Sequence, residues 1–351
     1  MESKNVLLAV VLSSIVLIFW GTFFEPPAVK QTPQNQINEN NTLGSPSIDE
    51  TENKTEVTRA EAINSTKRIK LENENIKGSV SLQGGIIDDI VFKNYKENLG
   101  GDSNVTFLNP KNSLNEYFIE SGWASGGNEK IQLPLDKTLW KVKGNTLLTP
   151  NNPITLEWDN EEGLTFTKKI ELDEKFLFKI TQSIKNNSNK SFQFYPYAQI
   201  TRNGKPEGRQ IYILHEGFLG VFGEELKEKD YGDIEKEKFT ISGRKGWLGI
   251  TDKYWITAIV PEKGKEFKAE FLAKDKTYKA NYIIKEASIL NPGNSITNQI
   301  LTFVAAKEVS VIDGYAEQLG IDKFDLAIDW GWFYFFTKPL FFIIDYFFKL
   351  T

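Results

Sequence analysis

The sequence predicts a mainly β protein, a large antiparallel sandwich with an apolar helix before it and short or amphipathic helices after it. Three observations favour this fold class. Polar and apolar residues alternate in many short segments between about residues 66 and 315, which is the period of half-buried strands. Nineteen uncharged residues, Val6 to Phe24, precede this region. An aromatic segment, Trp330 to Phe348, follows it.

The composition excludes several classes of function. Hydrophobic residues make up 40% of the 351 positions, enough for a buried core. The net charge is −5 and no continuous basic stretch is present, so we expect no nucleic-acid partner. The chain has no cysteine and one histidine, which leaves no thiolate nucleophile or disulfide and little to ligate zinc or copper. We therefore expect neither a metal site nor a cofactor.

Residues 6–24 predict a transmembrane signal anchor. As a helix they would extend about 28 Å, enough to cross a bilayer. Bulky aromatic residues, Trp20 among them, occupy the end of this segment, where a cleaved signal peptide would carry small residues. An uncleaved anchor is therefore favoured over a cleaved signal peptide or a buried globular helix. Lys4 precedes the segment and the next positive charge is Lys30, so residues 1–5 are expected in the cytoplasm.

Residues 25–65 predict a flexible linker. They are rich in Asn, Glu, Thr, Ser and Pro and contain almost no large apolar side chains. Such a segment cannot bury enough apolar surface to offset the entropy lost on ordering. We expect it to tether the sandwich to the membrane.

Residues 66–315 predict the sandwich itself. In one segment, Phe176, Phe178 and Ile180 alternate with polar residues, which indicates a half-buried strand. Residues 267–287 show the same alternation on both sides of a polar turn, which predicts a hairpin. Further strand candidates are residues 78–95, 154–172, 191–202 and 294–309. Many short strands favour an antiparallel sandwich, and the absence of a fixed sequence repeat disfavours a propeller.

Residues 316–351 predict one or two short helices and then an aromatic helix at the membrane interface. Pro339 suits the first turn of a helix. Lys338, Asp345 and Lys349 fall within one narrow arc of that helix, and apolar residues cover most of the remainder, which is typical of a helix lying in the interface plane. The predicted interface residues of this segment are Trp330, Trp332, Phe336, Pro339, Phe341 and Phe347.

A second spanning helix, from Trp330 to Thr351, is the alternative for this segment. It would be long enough, at about 33 Å. Lys338 and Asp345 would each cost roughly 3 kcal/mol at mid-bilayer, however. The interfacial helix is therefore favoured.

No residue of the sequence predicts catalysis. His215 has Glu216 beside it, but neighbouring positions of a strand point to opposite faces, so a structural or turn histidine is favoured over a catalytic one. The acidic pairs Asp88–Asp89, Glu161–Glu162 and Glu224–Glu225 are interpreted as solvated turns rather than as the carboxylates of a glycosidase. No phosphate loop, nucleophile elbow or metal-ligand spacing is present.

The densest unusual stretch is "GRKGWLGITDKYWITAIVP", residues 243–261, which is interpreted as an aromatic corner of the core rather than as a ligand site. Within it, "GWLGITDKYW" closely resembles the periplasmic-domain signature of bacterial YidC membrane-protein insertases. We call residues 246–255 the signature; its members are Trp247, Gly249, Thr251, Asp252, Lys253, Tyr254 and Trp255. The segments "NVLLAVVLSSIVLIFW", "GSVSLQGGIIDDIVFKNY", "HEGFLGVF" and "FDLAIDWGWFYFFTKPLF" also resemble that family, in the same order along the chain.

The resemblance implies a periplasmic β-supersandwich of the galactose-mutarotase-like type, in the inner membrane of a Gram-negative bacterium. It further implies a non-enzymatic insertase or chaperone that assists nascent inner-membrane proteins, alone or with the Sec translocon and SecDF, in contact with membrane lipid. Members of that family carry five later helices around a hydrophilic groove. No residues of this chain correspond to them, so we expect a fragment of a longer insertase or a match to its accessory half only.

Two other functions remain open at this stage. A membrane-anchored protein that binds or modifies carbohydrate could use the same sandwich, with Trp123, Trp140 and Trp158 as candidate exposed rings. An adaptor tethered for protein partners alone is the third hypothesis.

Overall fold

The computed structural model describes residues 57–127, 131–206, 214–331 and 334–350. The predicted anchor, residues 6–24, lies outside the described residues, as do Trp20, Trp332 and most of the predicted linker.

The described residues form a mainly β structure. In chain order, the elements are α1 (Arg59–Ser65), β1 (Arg68–Glu72), β2 (Ile76–Ser81), β3 (Ile86–Lys96), β4 (Asn104–Leu108), β5 (Tyr117–Gly126), β6 (Lys141–Lys143), β7 (Leu147–Leu148), β8 (Ile154–Asp159), β9 (Leu164–Leu172), β10 (Leu177–Asn186), β11 (Phe192–Asn203), β12 (Gly217–Phe222), β13 (Glu225–Asp230), α2 (Tyr231–Lys236), β14 (Phe239–Gly243), β15 (Gly246–Thr251), β16 (Trp255–Val260), β17 (Phe267–Lys274), β18 (Thr277–Ile284), β19 (Ser288–Leu290), β20 (Ser295–Ala306), α3 (Val309–Leu319), a 3₁₀ helix (Phe324–Ala327) and α4 (Tyr334–Leu350).

The strands form two sheets, which confirms the predicted antiparallel sandwich. The first sheet has the order β14-β17-β18-β11-β5-β3-β2-β1-β7, with β19 paired to β11 and β4 to β3. The second has the order β13-β12-β15-β16-β20-β10-β9-β8-β6. The pairs of consecutive strands in both orders are antiparallel apart from β1 and β7, which are parallel.

Local sequence explains the individual strands. Phe178, Ile180 and Ile184 on β10 are buried and alternate with less buried residues, as the period of two predicts. The predicted hairpin is β17 and β18, joined by Asp275 and Lys276, both of which have positive φ angles. Two successive residues with positive φ angles form a tight turn whose twist matches that of the paired strands.

The apolar core lies between the two sheets and extends into the segment after β20. Tyr315 on α3 is buried, and its hydroxyl donates to Asp173 Oδ2 (2.6 Å) while accepting from the backbone N–H of Phe176 (3.0 Å). The ring of Phe324, in the 3₁₀ helix, packs 4.6 Å from that of Phe303 on β20. The packed unit therefore continues past residue 315, where the sequence placed the end of the sandwich.

The C-terminal helix α4 begins at Tyr334, so the expectation that Pro339 lies in its first turn is wrong. The ammonium of Lys338 pairs with Asp325 (3.2 Å) and Asp313 (3.6 Å), which ties the turn before the proline to the packed unit. Within the described segments, no helix combines the length and the apolar character needed to cross a membrane.

Candidate functional site

The signature forms the buried strand β15 and the turn that leads into β16. All six residues of β15 are buried. Residues 252–254 form the turn, in which Tyr254 is exposed and Asp252 and Lys253 are intermediate. The backbone N–H of Asp252 donates to Trp255 O (2.9 Å) and closes the turn.

Trp247 and Gly249 serve packing. Trp247 has no exposed surface, and its ring meets that of Phe324 edge to face at 5.2 Å. A Cβ on Gly249 would lie 2.2 Å from the carbonyl oxygen of Thr257 on the neighbouring strand, so no larger residue fits there without moving the backbone. Trp247 therefore joins the second sheet to the segment that leads to α4, and Gly249 allows the close pairing of β15 with β16.

Asp252 connects the two sheets through a buried ion pair. Its Oδ1 accepts from Nη1 of Arg202, on β11 of the first sheet, at 2.6 Å, and the two side chains are 13% and 12% exposed. The guanidinium carbon lies 4.9 Å from the centre of the Tyr117 ring. Although burial alone would lower the pKa of Arg202, the coulombic attraction of Tyr231 and Asp252 raises it. The guanidinium therefore stays charged, and its contact with Asp252 holds the signature turn against the first sheet.

The other end of the turn borders a cavity of about 430 Å³. Trp255 forms one wall, with its ring 4.9 Å from that of Phe92 and 5.0 Å from that of Tyr95. The ends of β3 and β20 and the chain after the 3₁₀ helix complete the lining, which includes Tyr95, Lys253, Tyr254, Lys307, Glu308 and Asp329. Its volume falls in the usual range of small-molecule sites, about 300–1,000 Å³.

Charges of both signs face this cavity. The Lys307 ammonium donates to Thr251 Oγ1 (3.0 Å), and burial lowers the pKa of Lys307 against the opposing attraction of Asp252 and Asp329. The Lys253 ammonium lies 4.7 Å from the centre of the Tyr254 ring. Neither lysine has a carboxylate oxygen within 4.0 Å among the described residues.

The two acidic side chains of the cavity are partly engaged. Glu308 Oε1 accepts from the hydroxyl of Tyr95 (2.7 Å). Asp329 accepts from the backbone N–H of His215 (3.0 Å) and of Gly331 (2.7 Å). Carboxylates retain further lone pairs after one or two such bonds. The cavity can therefore bind a ligand that carries both a negative and a positive group.

Glu216 contacts the signature turn, whereas His215 contacts Phe218, Asp230 and Asp329. The His215 ring lies 2.9 Å from the carbonyl of Phe218 through Nε2 and 3.3 Å from Asp230 Oδ1 through Nδ1. Glu216 Oε1 accepts from the backbone N–H of Lys253 (3.1 Å). Neither residue belongs to a strand, so the argument from opposite faces does not apply, but these contacts are those of structural residues.

The interpretation of Asp88 and Asp89 as a solvated turn is wrong. Both lie inside β3, 2% and 6% exposed, where Asp88 pairs with Arg68 and Asp89 with Arg59. Burial raises the pKa of Asp88 despite the attraction of Arg68. Two adjacent acidic residues are typical of turns, and the sequence does not show the arginines that compensate them. Glu161–Glu162 and Glu224–Glu225 are exposed, as predicted.

The candidate carbohydrate-stacking rings are also misassigned. Trp123 and Trp140 are each 5% exposed within the core, and Trp158 is partly buried against Phe166, with ring centres 5.6 Å apart. A sugar could not stack on Trp123 or Trp140, which the sandwich covers, so these two rings do not support the carbohydrate hypothesis.

The predicted interface residues of the C-terminal segment that fall in the described part lie on or beside α4. Phe336 and Phe347 are 68% and 62% exposed, and Phe341 is 38% exposed. The ring of Trp330 packs 5.5 Å from that of Phe341. Pro339 lies inside the helix.

Sequence reasoning missed Lys307, Tyr95 and Arg202. Lys307 follows the buried end of β20, and a charged residue directly after a buried apolar run is a signal for a site at a strand end. Nothing in the sequence pairs Arg202 with Asp252. No cluster of three or more potential metal ligands occurs within the described ranges.

Comparisons with known proteins match this chain to one family. Residues 68–343 match the model of the family described as the YidC periplasmic domain. The membrane protein insertase YidC of Pelagibacter ubique (strain HTCC1062) is 48% identical over 352 residues, covering 100% of this chain and 63% of the relative. The protein of the same name from Beijerinckia indica is 35% identical over 368 residues, covering 98% and 61%. The chain thus spans a little over three fifths of the length of these relatives.

Among solved structures, a galactose mutarotase related enzyme from Lactobacillus acidophilus is similar with a TM-score of 0.44 and 12% identity. The match covers 68% of this chain and 98% of that enzyme.

Proposed function

The chain belongs to the YidC family of membrane-protein insertases, and we propose that it forms the membrane-anchored periplasmic part of such an insertase. The family match extends over residues 68–343, the whole sandwich and most of α4, and carries the proposal. The complete protein would assist the insertion and folding of nascent inner-membrane proteins, alone or together with the Sec translocon and SecDF.

The proposed role is non-enzymatic. The signature is committed to packing and to an ion pair between sheets, through Trp247, Gly249 and Asp252. Its cavity offers lysines, carboxylates and aromatic rings, which bind ligands, and the nearby His215 ring is held by Phe218 O and Asp230. Such a domain would bind and position other molecules rather than transform them.

The proposed location is the inner membrane of a Gram-negative bacterium, with residues 1–5 cytoplasmic, residues 6–24 as the anchor, residues 25–65 as the linker and the sandwich in the periplasm. The last part of the predicted linker, Arg59–Ser65, is helix α1, and the ion pair of Arg59 with Asp89 holds it to β3, so the flexible part ends before it. The exposed surface of α4 supports a membrane nearby. Its exposed large apolar side chains are Phe335, Phe336, Leu340, Phe341, Phe342, Ile343, Ile344, Tyr346, Phe347 and Phe348. An apolar surface of this extent on one short helix is typical of contact with a membrane or another protein. We place α4 in the interface, with the spanning helix as its alternative.

The insertase proposal is tested in a cell depleted of its own insertase and supplied with the complete gene. The measurement is the fraction of a short single-span reporter protein that reaches the membrane, read by protease protection of its periplasmic end. We expect the complete gene to restore insertion of the reporter. A gene truncated after codon 351 should not restore it. If the complete product is made and located in the membrane but the reporter remains uninserted, the proposal is wrong.

A further inference from the structure

We propose that the cavity beside the signature turn binds the headgroup of a phospholipid whose phosphodiester carries a primary ammonium, that is, a phosphoethanolamine headgroup. The inference rests on the proposed membrane placement of the domain, but its chemistry comes from the lining of the cavity. The two lysines would hold the phosphodiester, and the two carboxylates and the aromatic wall would hold the ammonium.

The lysines provide the anion site. Lys253 extends over Tyr254, and Lys307 is hydrogen-bonded to Thr251 Oγ1, with neither held in an ion pair within the described segments. Both ammonium groups are partly buried and have no carboxylate oxygen within 4.0 Å among the described residues, so an incoming phosphodiester would add a direct ion pair to each. The backbone of the turn is fixed between β15 and β16, and the backbone N–H of Lys307 donates to Tyr254 O of this turn (2.9 Å). Lys253 and Lys307 would therefore contribute to binding without a rearrangement of the fold.

The acidic and aromatic residues provide the cation site. Glu308 uses Oε1 for Tyr95 and has Oε2 available, and Asp329 accepts from two backbone N–H groups. A primary ammonium has three donors for such oxygens, which a quaternary ammonium lacks. The rings of Trp255 and Tyr95 also line the cavity, and aromatic rings attract cations. A purely anionic headgroup would meet Glu308 and Asp329 with no compensating charge.

The position of the cavity relative to α4 favours a lipid as the source of this headgroup. Ile328 and Asp329 line the cavity, and the next residue, Trp330, packs on Phe341 of α4. Lys338 of α4 is paired with Asp325, three residues before Ile328. A helix in the interface would thus hold the cavity close to the depth at which headgroups lie.

The binding test uses the 351-residue chain purified in a non-ionic detergent. Short-chain phosphatidylethanolamine, phosphatidylcholine and phosphatidylglycerol are added separately, and bound lipid is counted by native mass spectrometry. We expect phosphatidylethanolamine to bind most tightly. Both Lys253→Gln and Glu308→Gln should weaken its binding roughly tenfold, because each removes one charge-assisted contact.

The matched control is Lys141→Gln. Lys141 is an exposed lysine on β6, the strand at the far edge of the second sheet from the signature, and its loss should leave lipid binding unchanged. Lys253 and Glu308 are intermediate in exposure, and glutamine at 308 keeps an acceptor for Tyr95, so both variants are expected to fold. A circular dichroism melting curve confirms this for each variant.

Three outcomes would overturn the inference. In the first, phosphatidylcholine or phosphatidylglycerol binds as tightly as phosphatidylethanolamine. In the second, neither Lys253→Gln nor Glu308→Gln weakens binding. In the third, soluble phosphoethanolamine saturates the site at the same concentration as the lipid, so that the ligand is a free metabolite. Because binding in detergent requires no insertion activity, failure of this inference is distinguishable from failure of the insertase proposal.

Discussion

Replacement of Asp252 by asparagine should destabilise the protein strongly, because it leaves the Arg202 guanidinium buried without its counter-charge. The two side chains are only 13% and 12% exposed and are joined at 2.6 Å. For exposed pairs the interaction is worth about 0–1 kcal/mol, but loss of one partner of a buried pair costs about 3–5 kcal/mol. Charge centres about 4 Å apart at an effective dielectric constant of about 20 attract by roughly 4 kcal/mol, which agrees with that range.

The assay is a double-mutant cycle of Asp252→Asn and Arg202→Met, measured by urea unfolding of the 351-residue chain in mild detergent. We expect each single change to cost about 3–5 kcal/mol and the double change to cost about 3 kcal/mol less than the sum, since it removes both charges together. The matched control is Lys143→Gln with Glu157→Gln, a pair across β6 and β8 whose side chains are 57% and 32% exposed. Its coupling should stay below about 1 kcal/mol. Additive costs at Arg202 and Asp252 would refute the idea that this ion pair holds the two sheets together.

Four further predictions concern other parts of the molecule. Trp247→Ala should cost about 3–5 kcal/mol in urea unfolding. Trp247→Phe should cost less than about 1.5 kcal/mol, because it keeps a ring and removes an indole N–H for which the described residues provide no acceptor. Equal costs for the two variants would contradict this prediction. Gly249→Ala should lower the melting temperature, because its Cβ would lie 2.2 Å from Thr257 O. The control is Gly232→Ala on α2, whose Cβ would meet nothing within 4 Å and which should leave the melting temperature unchanged. An unchanged melting temperature for Gly249→Ala would show that β15 and β16 can move apart. Burial lowers the pKa of Lys168 to about 8 from 10.5, so between these pH values the native state binds fewer protons than the unfolded state. The free energy of unfolding should therefore rise with pH across that window, by about 3 kcal/mol relative to that of Lys168→Met. A difference between the two proteins that does not change with pH would contradict this prediction. If α4 lies in the periplasmic interface, single cysteines placed at Ile344 and at Thr351 in the complete protein should both resist a thiol reagent applied from the cytoplasmic side. Labelling of the cysteine at 351 from that side would establish the spanning alternative.

The sequence predicted those elements whose signal is local. The strand β10 and the hairpin β17–β18 follow from alternation and from two turn residues, and both were confirmed. The helical segment after β20 was also expected, and α3 and the 3₁₀ helix are found there. Alternation over short distances is set by which face of a strand is buried, so a single sequence contains it.

The candidate site was less predictable because it depends on residues far apart in the chain. Asp88 and Asp89 were assigned to a turn, since nothing nearby indicates the arginines that allow β3 to bury them. Trp123 and Trp140 were considered as exposed rings because the burial of a tryptophan depends on the opposite sheet. The signature was found, but the cavity beside it is completed by Tyr95 and Asp329, which lie about 160 residues before and 75 residues after Trp255 in the chain.

The central position of β20 has a consequence for biosynthesis. This strand lies between β16 and β10 in the second sheet and is the last strand along the described chain. Until residues 295–306 have been synthesised and released from the ribosome, the second sheet consists of two separate halves, each with an open edge where β20 will pair. Open edges of this kind recruit foreign strands and expose the chain to proteases, and pairing over such sequence distances is slow. Cooperative folding of the second sheet would therefore begin only after β20 has emerged, and the two halves would need protection from aggregation and proteolysis until then.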